Sequence, residues 1–118
     1  MSLPPNVAVL MTCHNRRALT VRCLESLRTH KSDAELALFV VDDGSSEGTA
    51  EAVRTVWPTA HVIPGDGSLF WNGGMRLAWE TAALAGPFDH YLWLNDDVVL
   101  DSGAIDRLLR EADRKSVV

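Results

Sequence analysis

Five apolar residues in a row, Val7 to Met11, open the pattern of this chain. A run that short and without polar alternation reads as a strand covered on both faces. Within Arg17 to Thr29, Leu19, Cys23, Leu24 and Leu27 recur at helical spacing, and His30 and Lys31 stand at the end that favours positive charge. The couplet then repeats. Glu35 to Val41 is a second apolar run, and Ala52, Val53, Val56 and Trp57 form a helical stripe that Pro58 stops. His61 to Ile63 predicts a short third strand before the turn-rich Pro64-Gly65-Asp66-Gly67-Ser68. From Asn72 to Ala85 the period is helical again, with Leu77, Ala78, Thr81 and Leu84 on one side and Gly86-Pro87 as the stop. His90 to Leu94 is the fourth strand. Asp101 or Ser102 caps a last helix that carries Ile105, Leu108, Leu109 and Ala112 on its buried face.

Strands that alternate with helices imply right-handed crossovers and a mostly parallel open sheet with flanking helices. The fold class is therefore α/β. With 118 residues and no internal repeat or low-complexity segment, residues 1–118 make one domain. The polar punctuation after strands one, two and four (Thr12 to Asn15, Asp42 to Ser46, Asn95 to Asp97) falls on one edge of that sheet. In open α/β sheets ligands bind outside the carboxyl ends of the strands, and a neighbouring pair of strands one and four would flank the topological switch point.

Composition narrows the ligand. A chain 47% hydrophobic and 23% charged is an ordinary globular one, and no apolar stretch approaches the roughly 20 residues of a membrane span. The net charge of -5 argues against nucleic acid as a partner, which would call for a basic stripe. Lys31 and Lys115 are the only lysines and the arginines are scattered, so a polyphosphate needs another source of positive charge. A divalent cation is the simplest. Cys13 and Cys23 have neither zinc-site nor redox-pair spacing and read as two free thiols, which with the absence of a secretory signature fits the cytoplasm.

Neither Gly-x-Gly-x-x-Gly nor a P-loop occurs, so phosphate is not held by a glycine-rich helix start of those kinds. Asp96 and Asp97 are adjacent and diverge at a strand end. Hard oxygen ligands at such an open site suit Mg²⁺ or Mn²⁺ completed by water and phosphate. The competing reading is a pair of loop carboxylates that cap the next turn. Asp42 and Asp43 before Gly44 and two serines are equally an ordinary turn, although two acidic turns in register are less readily accidental than one. Thr12-Cys13-His14-Asn15-Arg16 ends where a base or ribose could lie, with His14 as readily a surface or capping residue. Trp71-Asn72-Gly73-Gly74-Met75-Arg76 is either a helix start whose N–H groups attract anions or a turn with a packed tryptophan.

At these residues the sequence resembles the family 2 glycosyltransferases, which have the Rossmann-like GT-A fold. Val7 to Arg16 is similar to that family's opening strand ending in Asn-Arg, Val40 to Ser46 to its Val-Asp-Asp-Gly-Ser segment, and Leu92 to Val98 to the strand carrying its Asp-x-Asp motif. Their order over nearly the whole chain is more specific than any one segment. The resemblance implies the amino-terminal, donor-binding half of a nucleotide-sugar transferase. On it, Thr12 and His14 border the base and ribose, and Asn15 and Asp42 also belong to the nucleotide-sugar-binding set. Asp43 accepts a hydrogen bond from the base, Asp96 lies near the ribose or sugar, and Asp97 binds Mn²⁺ or Mg²⁺. Asn72 and Arg76 belong to a donor-contacting segment.

The implied reaction is metal-dependent, inverting transfer of a sugar from a nucleoside diphosphate, most naturally a UDP- or dTDP-sugar, to an acceptor hydroxyl on a saccharide or lipid. Two departures matter. Asn95 replaces the first acid of Asp-x-Asp, and the acceptor site and catalytic base of the family come from the half after that strand, of which this sequence holds one helix. An incomplete catalyst is therefore expected. A non-catalytic nucleotide-sugar module that pairs with another chain, a homodimer included, is the alternative. A phosphoacceptor signalling domain fits less well, because the acidic pairs follow strands two and four and no lysine stands at a later strand end.

Overall fold

The computed structural model of the chain describes residues 3–115. Of the single domain expected over 1–118, the termini beyond that range lie outside the described residues. Four strands and four helices alternate: β1 (Asn6–Cys13), α1 (Arg17–Arg28), β2 (Glu35–Asp43), α2 (Thr49–Val56), β3 (His61–Gly65), α3 (Phe70–Ala85), β4 (His90–Trp93) and α4 (Ala104–Lys115). The strands form one parallel sheet in the order β3-β2-β1-β4. Strands one and four are neighbours, as the switch-point argument requires. Cys13 lies level with Asp42 across the β1/β2 pair, and Leu10 with Trp93 across β1/β4, so the segments that follow β1, β2 and β4 emerge along one edge.

Alternation along the central strands splits the core into two layers. Val7, Val9, Met11 and Cys13 of β1 with Leu38 and Val40 of β2 face α1, α2 and α4, meeting Cys23, Leu24, Leu27, Val53 and Ile105. Ala8 and Leu10 with Phe39 and Val41 face α3, meeting Met75, Ala78 and Ala82. A strand covered on both faces is apolar at every position, which is why β1 and β2 showed no polar alternation. α3 seats close to β1 at Gly74, where a Cβ would overlap the side chain of Thr12.

Three expected core positions differ. Leu19 is 42% exposed, one residue before the buried Thr20, Leu108 is 47% exposed although Ile105 on the same helix is buried, and Leu84 projects outward at the end of α3. Thr20 takes Leu19's place because the buried face of α1 ends against Asp96, where its hydroxyl donates to Oδ2 at 3.5 Å.

Candidate functional site

Four segments converge at the carboxyl edge between β1 and β4. They line a crevice of about 410 Å³ whose walls include Thr12, His14 and Arg16 from the end of β1, Asp43 from β2, Gly67, Phe70 and Trp71 from the start of α3, and Asn95, Asp96 and Asp97 after β4. The volume lies within the range of small-molecule sites.

Asp43 organises one wall. It is buried, and its carboxylate accepts from the backbone N–H of Gly67 (2.8 Å), Leu69 (3.1 Å) and Phe70 (3.0 Å). α3 has no capping side chain of its own at Leu69, so a carboxylate from another element takes its place. That cap starts the helix at Phe70 instead of Asn72, and holds Phe70 at φ +57°, a left-handed conformation costly for a bulky residue. Gly67 at φ +94° supplies the turn that aims the N–H groups back. The N–H groups expected to attract an anion at this helix start are thus in part already engaged by Asp43.

The other loops are tied across the edge. His14 Nδ1 lies 2.5 Å from the carbonyl oxygen of Asp43, which can only accept, so that nitrogen carries a proton, and Nε2 faces the Asn15 amide at 3.3 Å. Asn15, itself at φ +52°, accepts the Ser46 N–H at 2.9 Å and donates its own backbone N–H to Ser45. Asp42 accepts the Ser45 N–H at 3.1 Å. Asn15 and Asp42, expected at the ligand, therefore act as loop braces outside the crevice wall. For Asp42 the ordinary-turn reading is the one the hydrogen bonds support.

On the opposite wall the acidic pair diverges as expected. Asp96 is buried, Asp97 is exposed, and one guanidinium nitrogen of Arg16 lies 3.4 Å from Asp96 Oδ1 and 3.7 Å from Asp97 Oδ2. Burial pushes the Asp96 carboxyl above its ordinary range, against the pull of Arg16 and with a further push from Asp97. Asn95 Oδ1 accepts the Trp71 indole N–H at 3.1 Å, which joins the β4 and α3 walls. The Thr12 hydroxyl is buried with no protein partner.

Asn72 and Arg76 are not brought to this crevice. They line an adjoining aromatic groove with Trp71, Trp79 and Trp93, and Arg76 pairs with Glu80 one turn on at 3.6 Å. The reason is helical phase: with the helix fixed by Asp43 at Leu69 and Phe70, it is Trp71 that points to the crevice. Trp93 packs edge-on against Trp71 and Trp79, with ring centroids 5.7 and 5.2 Å apart. Residue patterning missed Arg16, Phe70 and Gly67. A glycine in a turn and a basic residue after Asn were visible but carried no signal that they faced the acidic pair.

Among the described residues no group of three or more His, Cys, Asp or Glu could hold a metal ion by itself. The donor set present, an exposed Asp97 beside Asp96, fits instead an open site in which a hard cation keeps waters and takes its remaining oxygens from phosphate.

An open parallel sheet with a polar, acidic crevice at its switch point is the arrangement in which α/β domains of the doubly wound type place their ligands. The chain belongs to the glycosyl transferase family 2, whose profile it matches over residues 8–118. It is 31% identical over 110 residues to an N-acetylglucosaminyltransferase of Rhizobium sp. (strain N33), a match that takes in 91% of this chain and 24% of that protein. Solved structures with the same fold include the mannosyltransferase PcManGT of Pyrobaculum calidifontis in complex with GDP-Man and Mn²⁺ (TM-score 0.72, 19% identity, 92% of this chain and 32% of that one). TarS of S. aureus superposes with TM-score 0.74 at 16% identity over 92% of this chain and 32% of its own. Glucosyl-3-phosphoglycerate synthase of Mycobacterium tuberculosis, in complex with Mn²⁺, UDP and glucosyl-3-phosphoglycerate, gives 0.63 at 17% identity over 90% of this chain and 39% of its own. The fold is thus that of the GT-A glycosyltransferases. The chain spans about a quarter of the length of the curated relative and about a third of these structures.

Proposed function

We propose that this chain is the donor-binding portion of a glycosyltransferase that moves a sugar from a nucleoside diphosphate to an acceptor hydroxyl. The observation that carries the reading is the crevice at the β1/β4 switch point, with the exposed Asp97 on one wall and His14 on the other. The Mn²⁺ and nucleotide present in complexes of PcManGT and glucosyl-3-phosphoglycerate synthase support a nucleotide and a divalent cation here.

On this reading the exposed His14 ring and Thr12 border the base and ribose, and the unpartnered Thr12 hydroxyl beneath them suits a ligand oxygen or a water. Asp43 shapes the base wall through the 67–70 loop, since its oxygens already hold three N–H groups. Asp96 accepts from the ribose or sugar. Asp97 holds Mn²⁺ or Mg²⁺, with Asn95 a weaker neutral oxygen beside it. A bound cation supplies positive charge for the leaving diphosphate. An inverting displacement then needs a general base near the acceptor hydroxyl. We assign no residue of this chain to that role, and expect sugar transfer by it alone to be poor. A UDP- or dTDP-sugar remains our favoured donor, with acceptor choice made by other parts of the protein.

One feature favours a second reading, a nucleotide-sugar module that pairs with another chain or another copy. β4 lies at the end of the sheet order, and Trp93 and Leu108 on and behind it are half exposed. An unpaired strand edge beside apolar surface is a docking surface.

The test is thermal unfolding with UDP, dTDP, GDP and CDP, with and without Mn²⁺, for the wild type and Asp97→Ala. At roughly a hundred times its dissociation constant a ligand stabilises by about 2.7 kcal/mol, several degrees for a domain of this size. A Mn²⁺-dependent shift with one nucleotide, lost in Asp97→Ala, is expected. No shift with any of them rejects the reading.

A further inference from the structure

We infer that Arg16, which bridges Asp96 and Asp97, competes with the divalent cation for Asp97 and is the side chain that then meets the ligand's phosphates. The inference rests on the donor-site reading and assigns a role to a residue outside the acidic motif.

The crevice wall carries three carboxylates, Asp43, Asp96 and Asp97, and one permanent cation, Arg16. The other arginines nearby are engaged elsewhere. Arg17 donates to the Glu47 carbonyl at 3.1 Å, and Arg76 pairs with Glu80 in the adjoining groove. Three acids and one base make a poor receptor for a diphosphate. The balance changes sign if a divalent cation takes the carboxylates and releases the guanidinium.

The geometry suits such an exchange. Arg16 reaches an oxygen of each acid with the same nitrogen, Nη1, at 3.4 and 3.7 Å, well beyond the 2.7–2.9 Å of a tight charge-assisted bond. Its side chain is half exposed, so little packing holds the guanidinium where it is. The backbone beneath it is fixed, because the Arg16 carbonyl accepts the Thr20 N–H at 2.8 Å at the start of α1. A long side chain on a fixed base at the crevice wall can leave the carboxylates without disturbing the fold. A cation at Asp97 would sit within the field of that guanidinium, and like charges so close repel by an amount worth tenfold or more in affinity at effective dielectrics near 20.

The experiment measures Mn²⁺ binding by calorimetry without nucleotide, and UDP and GDP binding at saturating Mn²⁺, for the wild type, Arg16→Gln and Arg16→Lys. Arg16→Gln is expected to bind Mn²⁺ on the order of tenfold more tightly and, with Mn²⁺ saturating, the nucleotide on the order of tenfold more weakly. Both differences should shrink at high salt, and Arg16→Lys should stay near the wild type. A residue that merely supported the fold would weaken both. If the wild type binds Mn²⁺ and nucleotide but Arg16→Gln binds Mn²⁺ no more tightly, the role of Arg16 is overturned and the donor site stands. If neither protein binds Mn²⁺ or nucleotide, the donor-site reading falls and this inference with it.

Discussion

Two buried carboxylates in one crevice serve opposite ends. Asp43 is satisfied by backbone N–H groups and acts as a structural pin, whereas Asp96 has only the long contacts of Arg16 and Thr20 and a carboxyl raised by burial. A poorly compensated buried acid at a cleft is a functional feature more often than a stabilising one. The two cysteines are its converse. Burial pushes Cys13 up to about 12 and Cys23 to about 11 from an ordinary 9.0, with nearby aspartates adding to it. Both thiols should stay unreactive toward a disulfide reagent at neutral pH until the protein unfolds. A folded pKa above the unfolded one favours folding fully below the unfolded value, and that contribution is lost as pH rises through the folded one. Denaturation midpoints should therefore fall from about pH 9 upward, less steeply in a Cys13→Ala, Cys23→Ala double variant. Equal slopes would contradict the burial argument.

At the scale of elements, the position of α3 decides which side chains reach the crevice. It is set by the Asp43 cap at one end and by the Gly74 contact with Thr12 in the second turn. Gly74→Ala should destabilise by about 1–3 kcal/mol, because an extra methyl in a packed site forces the backbone apart. Gly73→Ala, whose Cβ would meet Leu69 Cβ at 3.3 Å, should be close to neutral, since a helix-propensity gain of up to about 1 kcal/mol offsets the tight contact. Urea unfolding of both, with Thr12→Ala added to Gly74→Ala, checks this. Thr12→Ala should recover part of the loss, and strict additivity would show that the helix is seated by something else.

The same element shows where sequence reading stops. The apolar runs and helical stripes made the alternation of strands and helices legible, because burial on two faces and on one face leaves different periods. The α3 start was not legible, since its cap comes from Asp43 in β2, twenty-odd residues away, and no local signal marks a cap supplied by another strand. For that reason Asn72 and Arg76, expected in a donor-contacting segment, line the adjoining groove and not the crevice. Asp97, His14 and Thr12 were legible as crevice-lining positions because each stands at or just beyond the carboxyl end of a strand, where the topology alone fixes the edge. Arg16 was missed because the pairing of β1 with β4, and with it the neighbour of the acidic pair, is a property of the sheet order.

At the scale of the molecule, sheet order brings the loops after β1, β2 and β4 to one edge, and the family 2 profile runs over the whole of that arrangement. The central claim is that nucleotide and cation meet there. The most direct measurement is paramagnetic broadening of amide signals in the isotope-labelled chain by substoichiometric Mn²⁺ with UDP or GDP. Signals of residues 12–16, 67–71 and 95–98 should broaden first, while those of α2 and the amino ends of the strands stay sharp, and Asp97→Ala should abolish the pattern. Broadening centred elsewhere, or unchanged in Asp97→Ala, would contradict the assignment of this crevice as the donor site.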